Sequence, residues 1–386
     1  MSRRAPPMPG LVVETVSSIR SLREDGWNAL AAGRSFYLSH GWLRAVEREE
    51  GFVPRHAVAY RDGRLVGALP AYVWDGRPGR ATTYYDPFTL VAGKFVDAAE
   101  RPSWFPTLLL GSRAGYANEL LVSGATGGAR TQVVEALLEA ALPGAGESDV
   151  ASAAFLYLLP DAAAELQPRL EPRGVFLLLG AEAVIDVEWD SVAGYLASLK
   201  RSRRPKVSRE MRRFPLTGIR VEVGRLSTCL AEATPLLAAL QQRYGIPDTA
   251  EDADARLSAQ AAELDDQAVT FEARLGEKLV GFTLFYVWDG AFYGRVAGFD
   301  PAFDRAGLYF ELGFYSPLRY AIEHGLARLH LGSGSFEAKV GRGARLVPLA
   351  GILLPPAGQE SRWHDLLRGW NDYQRRWLER LESQQR

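Results

Sequence analysis

The sequence predicts a fold of the α/β or α+β class, with mixed strands and helices, that is present twice in tandem. The twelve residues Leu65 to Gly76, LVGALPAYVWDG, return 214 positions later as LVGFTLFYVWDG, with eight identities and no gap. Strand periodicity alone does not require Tyr-Val-Trp-Asp-Gly at the same offset. A spacing of 214 residues is far longer than the solenoid unit of about 20 to 50 residues, so the repeat indicates two domains.

Each copy of the repeat follows a turn, Arg61 to Arg64 in the first and Leu275 to Lys278 in the second, and a strand-like run precedes each turn. Both copies are therefore expected to form β-hairpins. We place the two domains at residues 1–187 and 188–386, which agrees with a usual domain length of about 100 to 200 residues.

The first half is expected to begin with a strand at 11–15, followed by helices at 21–31 and 40–49 and then by the repeated hairpin. Several prolines and glycines between 84 and 128 predict an insertion of loops and short strands. A helix at 129–142, a strand at 153–159 and two apolar runs at 175–179 and 183–187 complete this half.

The second half repeats this order with longer helices, which are expected at 191–214, 227–244 and 251–264. Strands follow at 269–274, 279–287 and 292–297, then a helix at 308–324 and a strand beginning at 329. Gly325 stands where a left-handed helix cap is expected. Aromatic and leucine residues from Trp363 to Leu381 keep helical spacing, which indicates a core-facing final helix.

Composition excludes several classes of protein. The chain has 386 residues, 47% of them apolar, and a net charge of −1. Its one cysteine, Cys229, excludes a disulfide framework and a cysteine-rich metal site. The five histidines lack paired metal-ligand spacing, so no metal is expected. No run reaches the ~18 apolar residues that insertion into a membrane needs, and we expect a cytoplasmic protein.

Several motifs carry a resemblance to a known family. They are the N-terminal FYLSHGWL at 36–43, Tyr293-Gly294-Arg295 with Gly298, the run 308–312, Gly325-Leu326, and Lys339-x-x-Arg342-Gly343. With this order of elements, the chain resembles the GNAT acyltransferase fold, and its tandem form resembles the Fem-type aminoacyltransferases and FemAB-like proteins. The resemblance implies two tandem GNAT-like domains, each a mixed twisted sheet flanked by helices.

One motif departs from the general GNAT pattern. The Arg/Gln-x-x-Gly-x-Gly/Ala loop that holds the pyrophosphate of coenzyme A is replaced at 305–310 by Arg-Ala-Gly-Leu-Tyr-Phe. Bulky side chains stand there where backbone amides need to be open. The departure argues against a coenzyme A donor at this loop.

The segment 293–343 is the predicted active site, because a strand, a loop and the start of a helix bring polar side chains to one sheet edge. Acyl transfer needs a base for the attacking amine and donors for the oxyanion. Glu311 is the first candidate base and Glu337 the second, Tyr309 or Tyr293 would protonate a leaving sulfur, and His330 would relay a proton. Two of these residues have a structural alternative. Glu311 would equally form a salt bridge with Arg319 or Arg295, and His330 would equally be a packed histidine at the end of a strand.

Further residues are candidates for binding the substrates. Arg295, Lys339 and Arg342 would hold carboxylate or phosphate groups, and Tyr293 lies beside them on the same strand. The first half has no matching arginine–glutamate pair after its hairpin, but Tyr85 and Asp86 there are candidates for holding the acceptor.

The most concentrated charge lies between Lys200 and Arg213, which together carry eight basic residues and one acid, Glu210. Val207, Met211 and Phe214 fall on one helical face, so we expect a docked helix that presents its cations outward. Phosphate groups of RNA or of a nucleotide are the expected partners, and local salt bridges are the alternative. The predicted phosphate-binding residues are Lys200, Arg203, Arg204, Lys206, Arg209, Arg212 and Arg213.

These features predict an amide-forming acyltransferase without a bound cofactor. Its donor would be aminoacyl-tRNA, since the basic segment suits RNA, and its acceptor the amine of a small molecule or peptide. An acyl-CoA-dependent N-acyltransferase is the first alternative, and a non-catalytic GNAT-like scaffold is the second.

Overall fold

The structure is a computed structural model that describes residues 10–77, 82–124, 127–142 and 149–383. The chain divides into two compact units, Met1–Gly180 with Pro348–Arg375, and Ala181–Val347 with Arg376–Arg386. This division differs from the linear boundary at 187/188, because a late segment of the chain belongs to the first unit. Within that unit, Leu353, Trp363 and Leu367 share one core with Trp104. No local sequence pattern indicates that this late segment packs with the first unit.

The first unit contains two sheets. Its strands are β1 (Leu11–Val16), β2 (Phe52–Pro54), β3 (His56–Arg61), β4 (Arg64–Leu69), β5 (Ala71–Trp74), β6 (Thr107–Leu110), β7 (Leu121–Val122) and β8 (Ser152–Leu158). One sheet has the order β1-β3-β4-β7, and the other includes β2-β5-β6-β8. The pair β6 and β8 is parallel, whereas β5 and β6 are antiparallel.

Among the described residues before Gly180, six α-helices accompany these strands. They are α1 (Glu24–Ala31), α2 (His40–Val46), α3 (Thr82–Tyr85), α4 (Pro87–Leu90), α5 (Gly128–Ala141) and α6 (Pro160–Leu170). Helix α5 covers the first sheet through Val133 and Leu137, which are buried with Leu69 and Ala59 of the hairpin. The sequence predicts α1, α2 and α5 but does not single out α6.

The strand β9 (Val175–Asp186) contains the division at Gly180. The two apolar runs expected there form this one strand, with Gly180 at a φ of 107° between them. In the second unit, the strands that follow are β10 (Arg220–Gly224), β11 (Ala268–Leu275), β12 (Lys278–Trp288), β13 (Ala291–Phe299) and β14 (Arg328–His330). Their order is β10-β11-β12-β13-β14-β9.

The helices of the second unit are α7 (Val192–Ser198), α8 (Arg204–Arg213), α9 (Leu226–Arg243), α10 (Ala250–Leu264), α11 (Leu308–Phe310), α12 (Ser316–Glu323) and α13 (Phe336–Val340). The single helix expected at 191–214 is thus two helices, because Pro205 favours the first turn of a new helix. A π-helical segment, Glu311–Tyr315, joins α11 to α12 just before Pro317. The remaining elements are β15 (Arg345–Leu354) and α14 (Glu360–Ser383).

The two copies of the repeat form equivalent hairpins, β3–β4 and β11–β12. In the first, Ala59 pairs with Gly67 and Tyr60 with Leu65. In the second, Ala273 pairs with Gly281 and Arg274 with Leu279. The register shift thus falls at the same place in both copies. Because β-bulges are retained within a family of folds, a bulge at equivalent positions supports a common origin of the two hairpins.

The copies diverge after the hairpin. Pro70 separates β4 from β5, which lie in different sheets, whereas Leu284 at the matching position lies inside the continuous strand β12. Proline has no backbone N–H and therefore cannot donate a hydrogen bond within a sheet, which explains why the strand is interrupted at Pro70. Near the end of the repeat, Trp74 pairs with Thr107 of β6, and Trp288 pairs with Ala291 of β13. Strand β6 is therefore the counterpart of β13.

Candidate active site

The candidate site lies in the second unit, where two parallel strands separate. Strands β13 and β14 pair at Ala291–Arg328, Phe292–Leu329 and Tyr293–His330. Strand β14 then ends, while β13 continues to Phe299 in its pairing with β12. In open α/β sheets, ligands bind beyond the carboxyl ends of strands at such points.

Tyr293 and His330 form the last pair before the strands separate. Their rings stack with centroids 4.1 Å apart and an angle of 6° between the planes. The Nδ1 atom of His330 lies 3.1 Å from Oε1 of Glu182 on β9. The Nε2 atom is buried and has no hydrogen-bond partner within the part of the chain that the structure describes.

Glu182 was not among the predicted site residues. Its side chain is 2% exposed and lies in a strand whose neighbours are apolar, LLLGAEAVI at 177–185. A lone acid in a buried strand needs a partner, because burial of an unpaired charge is costly. That isolation was the sequence signal that could have identified it.

Lys339 holds the turn that follows β14. Gly332, Gly334 and Ser335 have positive φ values of 68°, 86° and 47°. The Nζ atom of Lys339 donates to the carbonyl oxygens of Leu331, Gly332 and Ser333 at 2.8, 3.1 and 3.2 Å. Burial lowers the pKa of Lys339 to about 8, and the negative charge of Glu182 opposes that shift. Its ammonium group therefore binds three backbone carbonyl oxygens, and its role in holding an anion stays a prediction.

Arg342 lies at the centre of a buried polar network. Its Nε donates to the Tyr315 hydroxyl at 2.9 Å and its Nη1 to the carbonyl oxygen of Ala338 at 2.8 Å. Glu210 of α8 accepts from both Arg342 and Tyr315. The guanidinium carbon is 3.6 Å from the centroid of the Phe310 ring, which is within cation–π distance. The network connects the basic helix to the end of α11, to the π-helical segment and to α13.

Glu311, the first candidate base, is also bound within the protein. Its carboxylate accepts from the Ser316 hydroxyl at 2.9 Å and pairs with Arg319. The salt bridge to Arg319 is one of the two that the sequence left open. Glu337, the second candidate, is exposed on α13.

Two further residues of the predicted site, Tyr309 and Arg295, lie on α11 and β13. Burial raises the pKa of the half-buried Tyr309 hydroxyl, while a hydrogen bond with Ser335 and the charge of Arg342 act in the opposite direction. Tyr309 also contacts Phe299 and Phe314. Arg295 lies in the irregular part of β13, where the pairing with β12 shifts between Leu284 and Phe285.

The basic segment, Lys200–Arg213, is docked as its spacing predicts. Val207 and Phe214 are buried in the core of this unit, and Met211 packs against it. All eight basic side chains are exposed, whereas Glu210 is directed at Arg342. Arg204 caps α7 through the carbonyl oxygen of Ala197 at 2.6 Å. Over the described residues, Arg209, Arg212 and Arg213 have no ion-pair partner, which disfavours the local salt-bridge alternative.

Tyr85 and Asp86 belong to the first unit. Asp86 is fully buried and caps α4 by accepting from the backbone N–H of Phe88 at 2.9 Å. The same carboxylate accepts from Thr89 and Arg101. Tyr85 packs edge-on against Tyr157, with ring centroids 5.8 Å apart. The contacts of Asp86 are those of a structural cap, so its expected role in holding the acceptor has no support from them.

Strand registers show which residues of the first unit correspond to the site. Tyr72 pairs with Leu109, which pairs with Ala154, whereas Tyr286 pairs with Tyr293, which pairs with His330. Leu109 and Ala154 therefore occupy the positions of Tyr293 and His330. The polar Tyr293–His330 pair of the second copy therefore has two apolar residues as its counterpart in the first.

The residues that the structure describes contain no cluster of three or more His, Cys, Asp and Glu side chains suited to a metal ion. None of their helices combines the length and the apolar character that crossing a membrane requires.

Comparison with known proteins identifies the fold. Residues 18–352 match the model of the FemAB-like family, which is described as acting in peptidoglycan biosynthesis or recognition. No curated protein matches the chain.

Solved structures that resemble the chain include the crystal structure of FemX, with 13% identity, a TM-score of 0.60, and coverage of 92% of this chain and 99% of FemX. A tandem GNAT protein from the clavulanic acid biosynthesis pathway has 12% identity, a TM-score of 0.50 and coverage of 90% and 99%. The L-PGS structure from Bacillus licheniformis has 11% identity, a TM-score of 0.51 and coverage of 90% and 96%. These similarities confirm the predicted tandem-GNAT fold.

Proposed function

The chain belongs to the FemAB-like family, and from that premise we propose that it transfers an aminoacyl group from aminoacyl-tRNA to an amine of a peptidoglycan-related acceptor. The family and the tandem GNAT fold point to an acyl or aminoacyl transferase. The acceptor class rests on the family's description, and an amide bond is the product of attack by an amine.

The basic segment carries the proposal for the donor. Its eight cations are exposed, and its one acid is used inside the protein to bind Arg342. The helix is fixed by Val207 and Phe214, so the charges are held on a rigid element. A rigid array of lysine and arginine suits the phosphate backbone of RNA, whose binding is largely electrostatic.

The loop at 305–310 favours the same donor over acyl-CoA. Gly307 has a φ of 83°, and its carbonyl oxygen accepts from the backbone N–H groups of Phe310 and Glu311. Leu308 is buried in the core, and Tyr309 and Phe310 follow it. A pyrophosphate needs open backbone N–H groups. This loop has bulky residues in place of small ones, and the N–H groups of Phe310 and Glu311 are already bonded to Gly307.

An aminoacyl ester is already activated, so the protein has to orient the amine and stabilise the charges that develop. The donor is a co-substrate, and the proposal requires no resident cofactor or metal. Use of charged tRNA places the reaction in the cytoplasm.

The test measures binding of charged tRNA at several salt concentrations. Neutralising Arg209, Arg212 and Arg213 together to alanine should weaken binding and lower the slope of log K against log salt by about 2 to 3. The control is the replacement of Arg368, Arg375 and Arg380, three exposed arginines of α14, which should leave the slope unchanged.

Product analysis by mass spectrometry then identifies the reaction. Incubation with charged tRNA and an amine-bearing peptidoglycan peptide should yield the aminoacylated peptide. Salt-independent tRNA binding together with turnover of acetyl-CoA would establish the acyl-CoA alternative instead. Binding of the peptide without turnover of either donor would identify a scaffold.

A further inference from the structure

Among the residues that the structure describes, two buried histidine–glutamate pairs differ in the number of ring nitrogens that have a hydrogen-bond partner. In the first unit, Nε2 of His56 donates to Glu47 at 2.8 Å, and its Nδ1 accepts from the backbone N–H of Ala71 at 3.1 Å. Both ring nitrogens of His56 are satisfied. This pair is a structural contact, and it provides a reference for the second.

In the second unit, His330 uses only one ring nitrogen. Its Nδ1 lies 3.1 Å from Glu182, so a carboxylate there fixes the proton on Nδ1 and leaves a lone pair on Nε2. Nε2 is buried without a partner among the described residues. Leaving such a buried atom unsatisfied is unfavourable, and a donor supplied by a substrate would satisfy it.

The position of His330 supports a chemical role. It is the last residue of β14, at the point where β14 ends beside β13, and its ring is held by stacking on Tyr293. The turn that follows is fixed by Lys339 through three carbonyl oxygens. Rigid support on both sides is what a catalytic group needs, because orientation errors of a fraction of an ångström reduce the rate.

Two cations act on Glu182, the carboxylate partner of His330. Lys339 and Arg345 both interact with Glu182 electrostatically. This arrangement resembles the logic of a base oriented by a buried acid.

The carboxylates expected to act as base have other surroundings. Glu311 is bound by Ser316 and Arg319, and Glu337 is exposed on α13. Glu311 is charge-paired with an arginine through its Oε1 atom, whereas the buried His330 has a carboxylate partner on one ring nitrogen and an unpartnered second ring nitrogen.

We propose that Glu182 and His330 form a dyad in which Nε2 of His330 accepts the proton of the attacking amine, a role that rests on the proposed transferase function. The amine nitrogen forms a bond to the ester carbonyl carbon while its proton moves to Nε2, and Glu182 stabilises the resulting imidazolium. The bond from carbon to the ribose oxygen then breaks, and the imidazolium returns the proton to that oxygen. His330 is the catalytic residue, and Glu182 is a positioning residue.

The first measurement needs no substrate. Nitrogen NMR of protein labelled with ¹⁵N-histidine reports which ring nitrogen carries the proton, and the spectrum of His330→Asn assigns the signal. We expect a proton on Nδ1 and a lone pair on Nε2 at neutral pH, and a mixture of tautomers in Glu182→Gln. A proton on Nε2 in the wild-type protein would overturn the dyad.

The second measurement is the rate of transfer from charged tRNA to the peptide amine. His330→Asn keeps an amide N–H for Glu182 but removes Nε2, so kcat should fall by about 100-fold or more with little change in KM. Glu182→Gln should lower kcat by about 10- to 100-fold. Glu47→Gln is the matched control in the structural pair, and it should lower the melting temperature while leaving kcat unchanged.

The outcomes separate the two proposals. If the wild-type protein transfers from acyl-CoA and not from charged tRNA, the donor assignment fails, and the same variants test the dyad with acyl-CoA. An unchanged kcat in folded His330→Asn refutes the dyad while leaving the transferase function in place. A wild-type protein that transfers from neither donor contradicts both.

Discussion

At the scale of single residues, burial determines which of the predicted polar groups can face a substrate. Lys339, Arg342 and Glu311 lie where the sequence places a site, but each is bound by partners inside the protein. A buried charge must be compensated, and the nearest compensation is the protein itself. Their predicted roles toward substrate stay predictions, whereas their contacts give the site its rigidity.

Lys339 provides a prediction about pH. Burial holds the pKa of its ammonium group at about 8, below the value of 10.5 for an exposed lysine. Between these values the unfolded chain retains a proton that the folded protein has released. The unfolded state then binds more protons, so this group's contribution to stability rises as the pH increases from 8 toward 10.5.

The measurement is urea denaturation of the wild-type protein and Lys339→Met between pH 7 and 10.5. The variant should be less stable at pH 7 because three carbonyl oxygens lose their donor. The difference in free energy of unfolding should then increase with pH, by up to about 3 kcal/mol. Lys278→Met, at an exposed lysine of the same unit, corrects for the loss of one charge, and a pH-independent difference would contradict the prediction.

At the scale of elements, the basic helix α8 depends on its one acid. Glu210 accepts from Arg342 and Tyr315, and Arg342 is 3% exposed. The local sequence predicts the apolar face of α8 correctly, because Val207, Met211 and Phe214 follow helical spacing. It does not reveal the partner of Glu210, which lies 132 positions away.

Replacing Glu210 by alanine should therefore destabilise the protein by about 3 kcal/mol, since Arg342 would remain buried without its carboxylate. Arg209→Ala, at an exposed residue of the same helix, should change stability by less than about 0.5 kcal/mol. The free energy of unfolding in urea measures both.

The double variant Glu210→Met with Arg342→Met makes the test specific. Replacing both members of a buried pair by apolar groups is often close to neutral, so the double variant should be more stable than Glu210→Ala. Equal losses in Glu210→Ala and Arg209→Ala would show that the Glu210–Arg342 pair does not anchor the helix.

Other differences between expectation and structure also belong to the scale of elements. The helix expected at 191–214 is interrupted between Ser198 and Arg204, and proline at 205 was the signal for that break. The strand β15 gave no clear local signal and was not predicted. Strand β9 was predicted as two runs, because Gly180 interrupts its apolar pattern.

At the scale of the whole molecule, the twelve-residue repeat predicted that one fold is present twice, and the resemblance of other motifs to a family implied that this fold is GNAT-like. Its hairpins share a register shift, and their tryptophans pair at corresponding positions. The sequence did not predict that Pro348–Arg375 belongs to the first unit, because periodicity identifies a strand but not its neighbours in a sheet.

The candidate site was predicted in part for the same reason. Tyr293 was expected at the site because a strand, a loop and the start of a helix bring polar side chains to one sheet edge, and His330 was expected beside that site. Glu182 was missed, since it contacts His330 across 148 residues. Chain-distant pairs of this kind require the topology, which the sequence gives only through the resemblance to a family.

The duplication makes a final prediction about two equivalent glycines. Gly67 and Gly281 occupy the same position in the two hairpins, next to the shared register shift. A Cβ atom on Gly67 would lie 2.5 Å from Cγ1 of Val133, whereas one on Gly281 would lie 3.1 Å from Cδ1 of Phe299. The first contact is too short to form unless Val133 or the helix α5 that carries it moves, whereas the second needs a shift of only a few tenths of an ångström.

We therefore expect Gly67→Ala to lower the free energy of unfolding by about 2 kcal/mol and Gly281→Ala to lower it by less than half of that. Gly369→Ala in α14, where a Cβ meets no atom within 4 Å, is the control and should be neutral or stabilising by up to about 1 kcal/mol. Urea denaturation measures all three variants. Equal losses at Gly67 and Gly281 would mean that the helix packed on the first hairpin adjusts as easily as a single side chain, and that the two copies tolerate the same change despite their different surroundings.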